Sequence, residues 1–314
     1  MNNLWDANTW KDTFVKASLE RDSNLLRSLR IKVFEDTLEE VNNGVYTSEN
    51  GRKVLFGDDQ EMIQKTILYK DVIIVDSFPK ISNKPIIEVI EDDVLSVTKK
   101  LVDNGEHPAV LNLASRQNPG GGVITGAGAQ EEYLFRCSNY FGSLYQFAHY
   151  ANSYNLVKRK ESYPLDKNFG GVYSPKVTIF RASEKSGYPK LEMPWSTSFI
   201  AVPAISSPLL IQDENDLYWL TEEMERATKH KIRTIYRIAL INGHTQLVLG
   251  AFGCGAFKNP PHHIAKLFHE VLEEKEFSSS FTHIVFAIID NHNSYKWFNP
   301  QGNFTPFKEE FSNM

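Results

Sequence analysis

The pattern of apolar positions predicts one helix near the N-terminus, followed by short strands that alternate with helices. Between Asn24 and Val41 apolar residues recur every three or four positions, and the NNG run at 42–44 supplies a stop. From Thr66 onward, apolar or β-branched runs have strand length. They are DVIIVD, KPIIEVI, AVLNLAS, KVTIFR, TSFIAVPA, QLVLGAF and HIVFAIID. This alternation predicts an α/β protein with a largely parallel or mixed sheet.

Three further helices are predicted from apolar residues that step by three and four. Their buried stripes would be Leu134, Cys137, Phe141, Leu144 and Ala148; then Leu217, Leu220, Met224 and Ala227; then Ile264, Leu267, Phe268, Val271 and Leu272. No linker rich in Pro, Gly or Ser divides the chain. We therefore expect an N-terminal helical extension over residues 1–60 and a single structural unit over residues 61–314.

Charge and cysteine content narrow the class of protein. The net charge of −5 and the lack of Lys/Arg runs beyond VKRK and KHKIR argue against direct nucleic acid binding, although a local pocket for a small anion remains open. Cys137 and Cys254 lie far apart and show no metal-binding spacing, which is typical of a reducing compartment. No secretory signal or membrane-spanning run is apparent. We expect a protein that binds no membrane and is cytoplasmic, or is delivered by a secretion system.

A glycine-rich loop, NPGGGVITGAGAQEE, follows the predicted strand AVLNLAS. In open α/β sheets, ligands bind beyond the carboxyl ends of the strands. Gly120, Gly121 and Gly122 could cradle a phosphate or lie against a ribose, and the alternative is a flexible turn. Thr125 stands where a dinucleotide-binding fingerprint needs its third glycine, and no P-loop lysine follows. The loop therefore matches neither familiar nucleotide motif.

A second loop of the same character, LGAFGCGAFKNPP, follows the predicted strand QLVLG. Gly253 and Gly255 flank a cysteine, and Asn259 with Pro260 would cap and begin the next helix. Phe257 either stacks on a base or ribose or belongs to the core. Two glycine-rich loops between strands and helices predict two walls of a diphosphate site.

Two adjacent acids, Glu131 and Glu132, begin the helix after the first loop. Acids at this position are common because they complement the helix dipole. Adjacent helical side chains point about 100° apart, so the two carboxylates would have different roles. His262 and His263 diverge for the same reason and have no acid cluster nearby, so we expect them to be solvated or capping and predict no metal site.

The spacing of GGG, seven residues and QEE resembles the signature of poly(ADP-ribose) glycohydrolases, the catalytic branch of the macrodomain superfamily. Four stretches are similar to the shorter bacterial type, and the lead-in RSLRIKVFEDTLEEVNNGVY is similar to its helical start. The stretches are VLNLASRQNPGGGVITGAGAQEEYLFRCS, VYSPKVTIFR, LVLGAFGCGAFKNPP and VFAIID. The resemblance implies a three-layer α/β/α macrodomain-like fold with a mixed central sheet, in which residues 61–314 form the catalytic domain.

The resemblance also implies roles for individual residues. Glu132 would be the catalytic acid/base, while Glu131 and Asn118 would contact the ribose next to the scissile bond. Gly120, Gly121, Gly122 and Gln130 would shape the catalytic loop, and the diphosphate loop with its distal stacking contact would be Gly253, Cys254, Gly255, Ala256 and Phe257. Asp93 would contact the adenine amino group; a register shifted onto Glu91 or Asp92 would change that choice.

The activity that the resemblance implies is hydrolysis of the ribose–ribose O-glycosidic bond of poly(ADP-ribose) from chain ends, with ADP-ribose as product. A carboxylic acid protonates the leaving oxygen and then acts as base toward water, without a cofactor. Two alternatives remain open. One is removal of single ADP-ribose units from a protein side chain such as arginine. The other is a non-catalytic ADP-ribose reader, which needs the phosphate loops but not the acid pair.

Overall fold

The computed structural model describes residues 5–57, 59–81 and 84–312. Its α-helices, within these ranges, are α1 (Ala7–Leu19), α2 (Ser23–Asn43), α3 (Gln60–Lys65), α4 (Val94–Asp103), α5 (Gln130–Cys137), α6 (Phe141–Leu144), α7 (Glu222–Ile241), α8 (Pro261–Leu272) and α9 (Phe304–Phe311). Its strands there are β1 (Val45–Thr47), β2 (Lys53–Leu55), β3 (Ile67–Tyr69), β4 (Ile86–Ile90), β5 (Ala109–Leu113), β6 (Gly171–Arg181), β7 (Lys190–Val202), β8 (Leu210–Gln212), β9 (Tyr218–Leu220), β10 (Gln246–Leu249) and β11 (His283–Ala287). None of the described helices combines the length and the apolar character needed to cross a membrane.

The predicted N-terminal helix is confirmed as α2, and a second helix, α1, precedes it. Asp22 caps α2 by accepting hydrogen bonds from the N–H groups of Asn24 and Leu25, and Gly44 ends the helix in the left-handed conformation at φ 69°. Asp6 caps α1 in the same way, through the N–H of Thr9. Each such cap stabilises a helix by about 1 kcal/mol. Local sequence signals therefore explain the start of α1 and both ends of α2.

A seven-stranded sheet has the order β3-β6-β7-β5-β10-β11-β4. β10 pairs in parallel with β5 and with β11, and β11 pairs in parallel with β4. Four of the runs predicted as strands supply these four elements, and KVTIFR and TSFIAVPA lie largely within β6 and β7. The prediction of an α/β protein with a mixed central sheet is confirmed.

The run DVIIVD (71–76) was wrongly predicted as a strand. The strand in this region is β3, and the chain after it is irregular. Ile74 is 88% exposed, and Val72 and Val75 are also exposed. No other part of the described chain covers these apolar side chains. A run of β-branched residues forms a strand only where its side chains can pack, so no strand forms here.

The chain divides into two compact units. The first comprises the described residues up to 67, with 117–164 and 174–198, and its core includes the buried rings Phe34, Phe135, Tyr145 and Phe180. The second comprises the described parts of 68–116, 165–173 and the chain from 199 onward. Its core packs β5, β10 and β11 with α7, α8 and α9. The expected boundary at residue 60 stays a prediction.

The long helix predicted over Leu134–Ala148 is two helices with a break at Ser138. Ser138 has an extended backbone, its hydroxyl donates to the Leu134 carbonyl at 2.6 Å, and it forms a bridge with Ile179. A serine hydroxyl that bonds back to the preceding turn competes with the helix. The predicted stripe is nevertheless buried, since Leu134, Cys137, Phe141, Leu144 and Ala148 all lie in the core.

The helix predicted from Leu217 begins only at Glu222. Residues 218–220 instead form β9, which pairs antiparallel with β8 so that Ile211 faces Trp219. The indole N–H of Trp219 donates to Asp213 at 2.8 Å within the same hairpin. The apolar step from Leu217 to Met224 therefore spans two elements.

Candidate active site

The GGG motif forms a tight turn whose conformation only glycine adopts easily. Gly120 and Gly121 have φ values of +76° and +56°, and the Gly121 N–H donates to the Asn118 carbonyl at 3.1 Å. The neighbouring side chains also leave no room for a Cβ atom at these two positions. A Cβ on Gly120 would lie 2.6 Å from the Phe135 ring, and one on Gly121 would lie 2.4 Å from Oε1 of Glu132. The turn thus lies directly against the acids of α5.

The two glutamates are the second and third residues of α5, and both are buried, at 3% and 6% exposure. The Gly120 N–H donates to Oε1 of Glu131 at 3.0 Å, and the Gly122 N–H donates to Oε1 of Glu132 at 2.8 Å. Oε2 of Glu132 is buried and has no hydrogen-bond partner in the described part of the chain. Burying a polar atom without a partner is costly, so such atoms are commonly kept for chemistry or a ligand.

The three glycine N–H groups are all engaged within the chain: Gly120 and Gly122 with the glutamates, and Gly121 with Asn118. They are therefore not presented to a phosphate, and the loop instead shapes the position of the acids. Gln130 is the first residue of α5 and is half-buried, while Asn118 is exposed. The structure thus brings Asn118, the three glycines, Gln130 and both glutamates together in the first unit.

The second glycine-rich loop lies in the second unit and is braced by an asparagine. The Asn259 side-chain amide donates to the Ile205 carbonyl at 2.8 Å and to the Gly253 carbonyl at 3.1 Å. Gly253 has φ +76°, and a Cβ there would lie 2.5 Å from this amide. The expected capping role of Asn259 was wrong, because α8 begins at Pro261 with Pro260 as its N-cap.

Backbone N–H groups of this loop remain available to a ligand. Across the residues that the structure describes, no hydrogen bond engages the N–H of Gly255, Ala256 or Phe257. A cavity of about 400 Å³ adjoins the loop and is lined by Gly255, Ala256, Lys258, Asn293, Lys296, Trp297 and Phe298. Consecutive free N–H groups beside lysines suit an anion. This geometry supports the prediction of a diphosphate loop.

Two side chains of the loop differ in exposure. Phe257 is half-buried, so both of its predicted roles, stacking and core packing, remain open. Cys254 is fully buried, and burial raises the pKa of its thiol far above the ordinary value. A thiol that stays protonated is a poor nucleophile, so Cys254 packs the loop.

Asp93 is the N-cap of α4. Its Oδ1 accepts hydrogen bonds from the N–H groups of Leu95 at 3.1 Å and Ser96 at 3.0 Å. Its neighbour Asp92 accepts from Lys100 at 3.1 Å. These bonds explain the acids at this position by helix capping. Contact between Asp93 and an adenine stays a prediction.

The histidine pair is not a solvated feature, contrary to expectation. His263 is buried and its Nδ1 accepts the Leu220 N–H at 2.9 Å, which ties α8 to β9. Burial, opposed by Glu225, lowers the pKa of His263 to about 4, so its ring is neutral near pH 7. Over the described ranges, no group of three or more His, Cys, Asp or Glu side chains could hold a metal ion.

One buried hydroxyl near the acids was not identified from the sequence. The Tyr163 hydroxyl has no hydrogen-bond partner among the described residues. Burial raises the pKa of this tyrosine well above its ordinary value, with further contributions from the charge of Glu131 and from Tyr140 and Tyr150. It is therefore a protonated donor within range of the Glu131 charge. Its only sequence signal was the aromatic richness of the segment after α5.

Comparisons with known proteins identify similar chains. A sequence model of the microbial-type poly(ADP-ribose) glycohydrolase (PARG) catalytic domain matches residues 34–182. The structure of PARG from Thermomonospora curvata is 29% identical, with a TM-score of 0.70 over 90% of this chain and 99% of that chain. The same protein bound to the inhibitor ADP-HPD gives a TM-score of 0.68 over the same shares. PARG from Deinococcus radiodurans in complex with ADP-ribose is 27% identical, with a TM-score of 0.61 over 83% of this chain and 99% of that chain. No curated protein matches the chain.

The fold and the site define a macrodomain-like α/β protein in which a glycine turn holds two buried glutamates. The chain is similar to bacterial-type poly(ADP-ribose) glycohydrolases, through the catalytic-domain match over residues 34–182 and through the solved structures from two bacteria. The resemblance seen in the GGG and QEE motifs is therefore confirmed.

Proposed function

We propose that this chain is a poly(ADP-ribose) glycohydrolase that cleaves the ribose–ribose O-glycosidic bond from chain ends and releases ADP-ribose. The observation that carries the proposal is the state of Glu132. Oε1 is fixed by the Gly122 N–H at 2.8 Å, whereas Oε2 is buried and has no partner in the described residues. A carboxyl group held by one oxygen and open at the other is suited to proton transfer to a bound substrate.

In the proposed reaction, Oε2 of Glu132 protonates the leaving ribose oxygen as the glycosidic bond breaks through an oxocarbenium-like state. The carboxylate then accepts a proton from the water that attacks the anomeric carbon. Glu131, anchored by the Gly120 N–H, orients the ribose with Asn118. The loop from Gly253 to Phe257 holds the diphosphate through its free N–H groups.

The test is release of ADP-ribose from poly(ADP-ribose) and, separately, from a protein carrying arginine-linked mono-ADP-ribose. We expect release from the polymer. Glu132→Gln should lower kcat by about a thousandfold, within the range of general acid–base catalysis, while calorimetry shows that ADP-ribose still binds.

Glu223→Gln is the matched control, because Glu223 is also an acid in the first turn of a helix, α7, and is exposed. If Glu132 served only the helix dipole, the two variants would lose equally little activity. Release from the modified arginine alone would instead identify a mono-ADP-ribosyl hydrolase, and binding without any product would identify a reader module.

A further inference from the structure

Residues 123–129 form the connector between the glycine turn and α5, and two arginines donate to backbone carbonyl groups within it. The Arg27 side chain donates to the Thr125 carbonyl at 3.4 Å, and Arg136 donates to the Ala127 carbonyl at 2.8 Å. Two glycines allow α2 to approach the connector. A Cβ on Gly126 would lie 2.3 Å from the Arg27 carbonyl oxygen, and one on Gly128 would lie 2.5 Å from the Arg30 guanidinium.

Arg136 is linked to Glu132 by a relay of three hydrogen bonds. Arg136 Nη1 donates to the Ala127 carbonyl at 2.8 Å, the Ala127 N–H donates to the Gly122 carbonyl at 3.1 Å, and the Gly122 N–H donates to Oε1 of Glu132 at 2.8 Å. Arg136 is fully buried, so its guanidinium is fixed by its partners. A shift of Arg136 would pass through the backbones of two residues, Ala127 and Gly122, to the acid.

The partners of Arg136 extend to the N-terminal helices. Its Nε donates to the Tyr188 hydroxyl at 2.8 Å, and that hydroxyl donates to Glu184 at 2.9 Å. Arg30 of α2 binds both oxygens of Glu184 at 2.9 Å, and its guanidinium lies 5.0 Å from the Phe14 ring of α1. We call Arg30, Glu184, Tyr188 and Arg136 the arginine network.

Electrostatics supports the same arrangement. Burial raises the pKa of Glu184, but hydrogen bonds and charge from Arg30, with the charge of Arg136, outweigh it and hold that pKa below its ordinary value. Glu184 is therefore ionised, and its part-buried pair with Arg30 has a defined geometry because two charge-assisted hydrogen bonds join the two side chains. Burial lowers the pKa of Arg30, but the hydrogen bond and charge of Glu184, with smaller contributions from Tyr188 and Glu132, raise it overall. Arg30 therefore lies within electrostatic range of the acid.

We propose that the arginine network is a positioning device for catalysis, through which the N-terminal helices fix the orientation of the Glu132 carboxylate. Arg136 and Arg30 touch no reacting atom in this scheme and act through Ala127, Gly122 and Glu132. The kinetic part rests on the proposed function, whereas the structural part does not.

The kinetic experiment compares Arg136→Met and Arg30→Met with Arg237→Met. Arg237 is a matched control, because it binds both oxygens of Glu276 and its side chain is 18% exposed, like that of Arg30. Misplacement of a catalytic group by about 1 Å can cost about a hundredfold in rate. We expect kcat to fall about a hundredfold in Arg136→Met and about tenfold in Arg30→Met, with KM and the Kd for ADP-ribose changed less than about threefold. Arg237→Met should keep kcat within about twofold of wild type at a similar loss of Tm.

A double variant separates positioning from general loss of stability. Because Arg136 acts through Glu132, Arg136→Met added to Glu132→Gln should lower kcat by no more than about twofold further. A full hundredfold additional loss would overturn the proposal. So would a folded Arg30→Met variant whose kcat equals that of Arg237→Met, and this arm stands even if Arg136→Met fails to fold.

Hydrogen exchange of the Gly122 amide, followed by NMR without substrate, tests the structural part independently of activity. Exchange should accelerate at least about tenfold in Arg30→Met and stay at the wild-type rate in Arg237→Met. Unchanged Gly122 exchange in Arg30→Met would overturn the proposal. Accelerated exchange in a chain that releases no ADP-ribose would contradict the proposed function alone.

Discussion

The two glycine-rich loops use their backbone groups in opposite ways. In the first loop the N–H groups of Gly120 and Gly122 donate to the chain's own glutamates. In the second, side-chain amides of Asn259 and Asn299 hold the carbonyl groups, and the N–H groups of residues 255–257 have no partner in the described chain. Glycine-rich sequence therefore positions acids in the first unit, whereas in the second unit it leaves backbone N–H donors available to a ligand.

The difference follows from what comes after each loop. The first leads into α5, whose opening residues are acids that take up the nearby N–H groups. The second leads through Asn259 and two prolines into α8, and neither proline has a donor or a charge. The glycine content of a loop therefore does not by itself predict ligand binding. What matters is whether nearby residues of the chain accept the hydrogen bonds of the loop N–H groups.

Among the changes that test this comparison, the largest effect is expected from a single methyl group in the first loop. Gly121→Ala places a Cβ 2.4 Å from Oε1 of Glu132 and 3.0 Å from Oε2 of Glu131, at a φ of +56° that costs about 1 kcal/mol for alanine. Both carboxylates must move, so we expect kcat to fall about a hundredfold.

Gly255→Ala is the matched change in the second loop, where the nearest atom is 3.8 Å away. Its kcat should stay within about twofold of wild type, because the added methyl group meets no close neighbour. Steady-state kinetics on both variants tests the comparison, and a Gly121→Ala enzyme with full kcat would contradict it.

An intermediate effect is expected from the charges beside the second loop. Replacing Lys258 and Lys296 together with Gln should weaken ADP-ribose binding about thirtyfold, since each exposed cation contributes about 1 kcal/mol toward a phosphate. The salt dependence of binding should decrease, and kcat should change little. Calorimetry at two salt concentrations measures this.

Lys308→Gln, at an exposed position in α9 outside the cavity lining, is the control and should leave the affinity unchanged. Equal affinity in the double variant and in this control would remove the second loop from the binding site.

The smallest effect concerns the helix that follows the second loop. Burial holds the pKa of His263 near 4 in the folded chain, against an ordinary value of 6.5. Between these values the unfolded chain binds a proton that the folded chain does not, so stability decreases as the pH falls from about 6.5 toward 4. This histidine alone should lower the free energy of unfolding by about 2 kcal/mol between pH 7 and pH 5.

His263→Gln removes that dependence and should give a flatter profile over the same pH range. Denaturant titrations of both proteins at pH 7 and pH 5 measure the difference. Parallel profiles would show that His263 is protonated in the folded state near pH 6.

Local sequence was sufficient where one element follows one periodic pattern. The helix ending at Gly44 and the buried strands β5, β10 and β11 were predictable because apolar spacing and burial coincide there. The break at Ser138 was not predictable, because it depends on a bridge to Ile179, 41 positions away in sequence. Strand β9 was missed for the same reason, since its pairing with β8 overrides the apolar step.

The acids and glycines of the site were predictable from their spacing, because a motif is local. Arg136 was not, because an arginine inside an apolar stripe gives no sign of its partners Tyr188 and Glu184, about fifty positions away. The available signal was the pair of glycines Gly126 and Gly128. Close approach by another part of the chain is one reason for glycines at such positions.

The position of Arg30 has a consequence for where the functional part of this protein begins. The match to the family model starts at residue 34, so a fragment cut there would keep the glycine turn and both acids. It would lose Arg27 and Arg30, and with them the side chains of α2 that reach the connector and Glu184. A boundary drawn at the start of the family-model match would then separate Glu132 from the arginines that position it. Such a fragment would contain every residue of the GGG and QEE motifs, and we expect its kcat to be low.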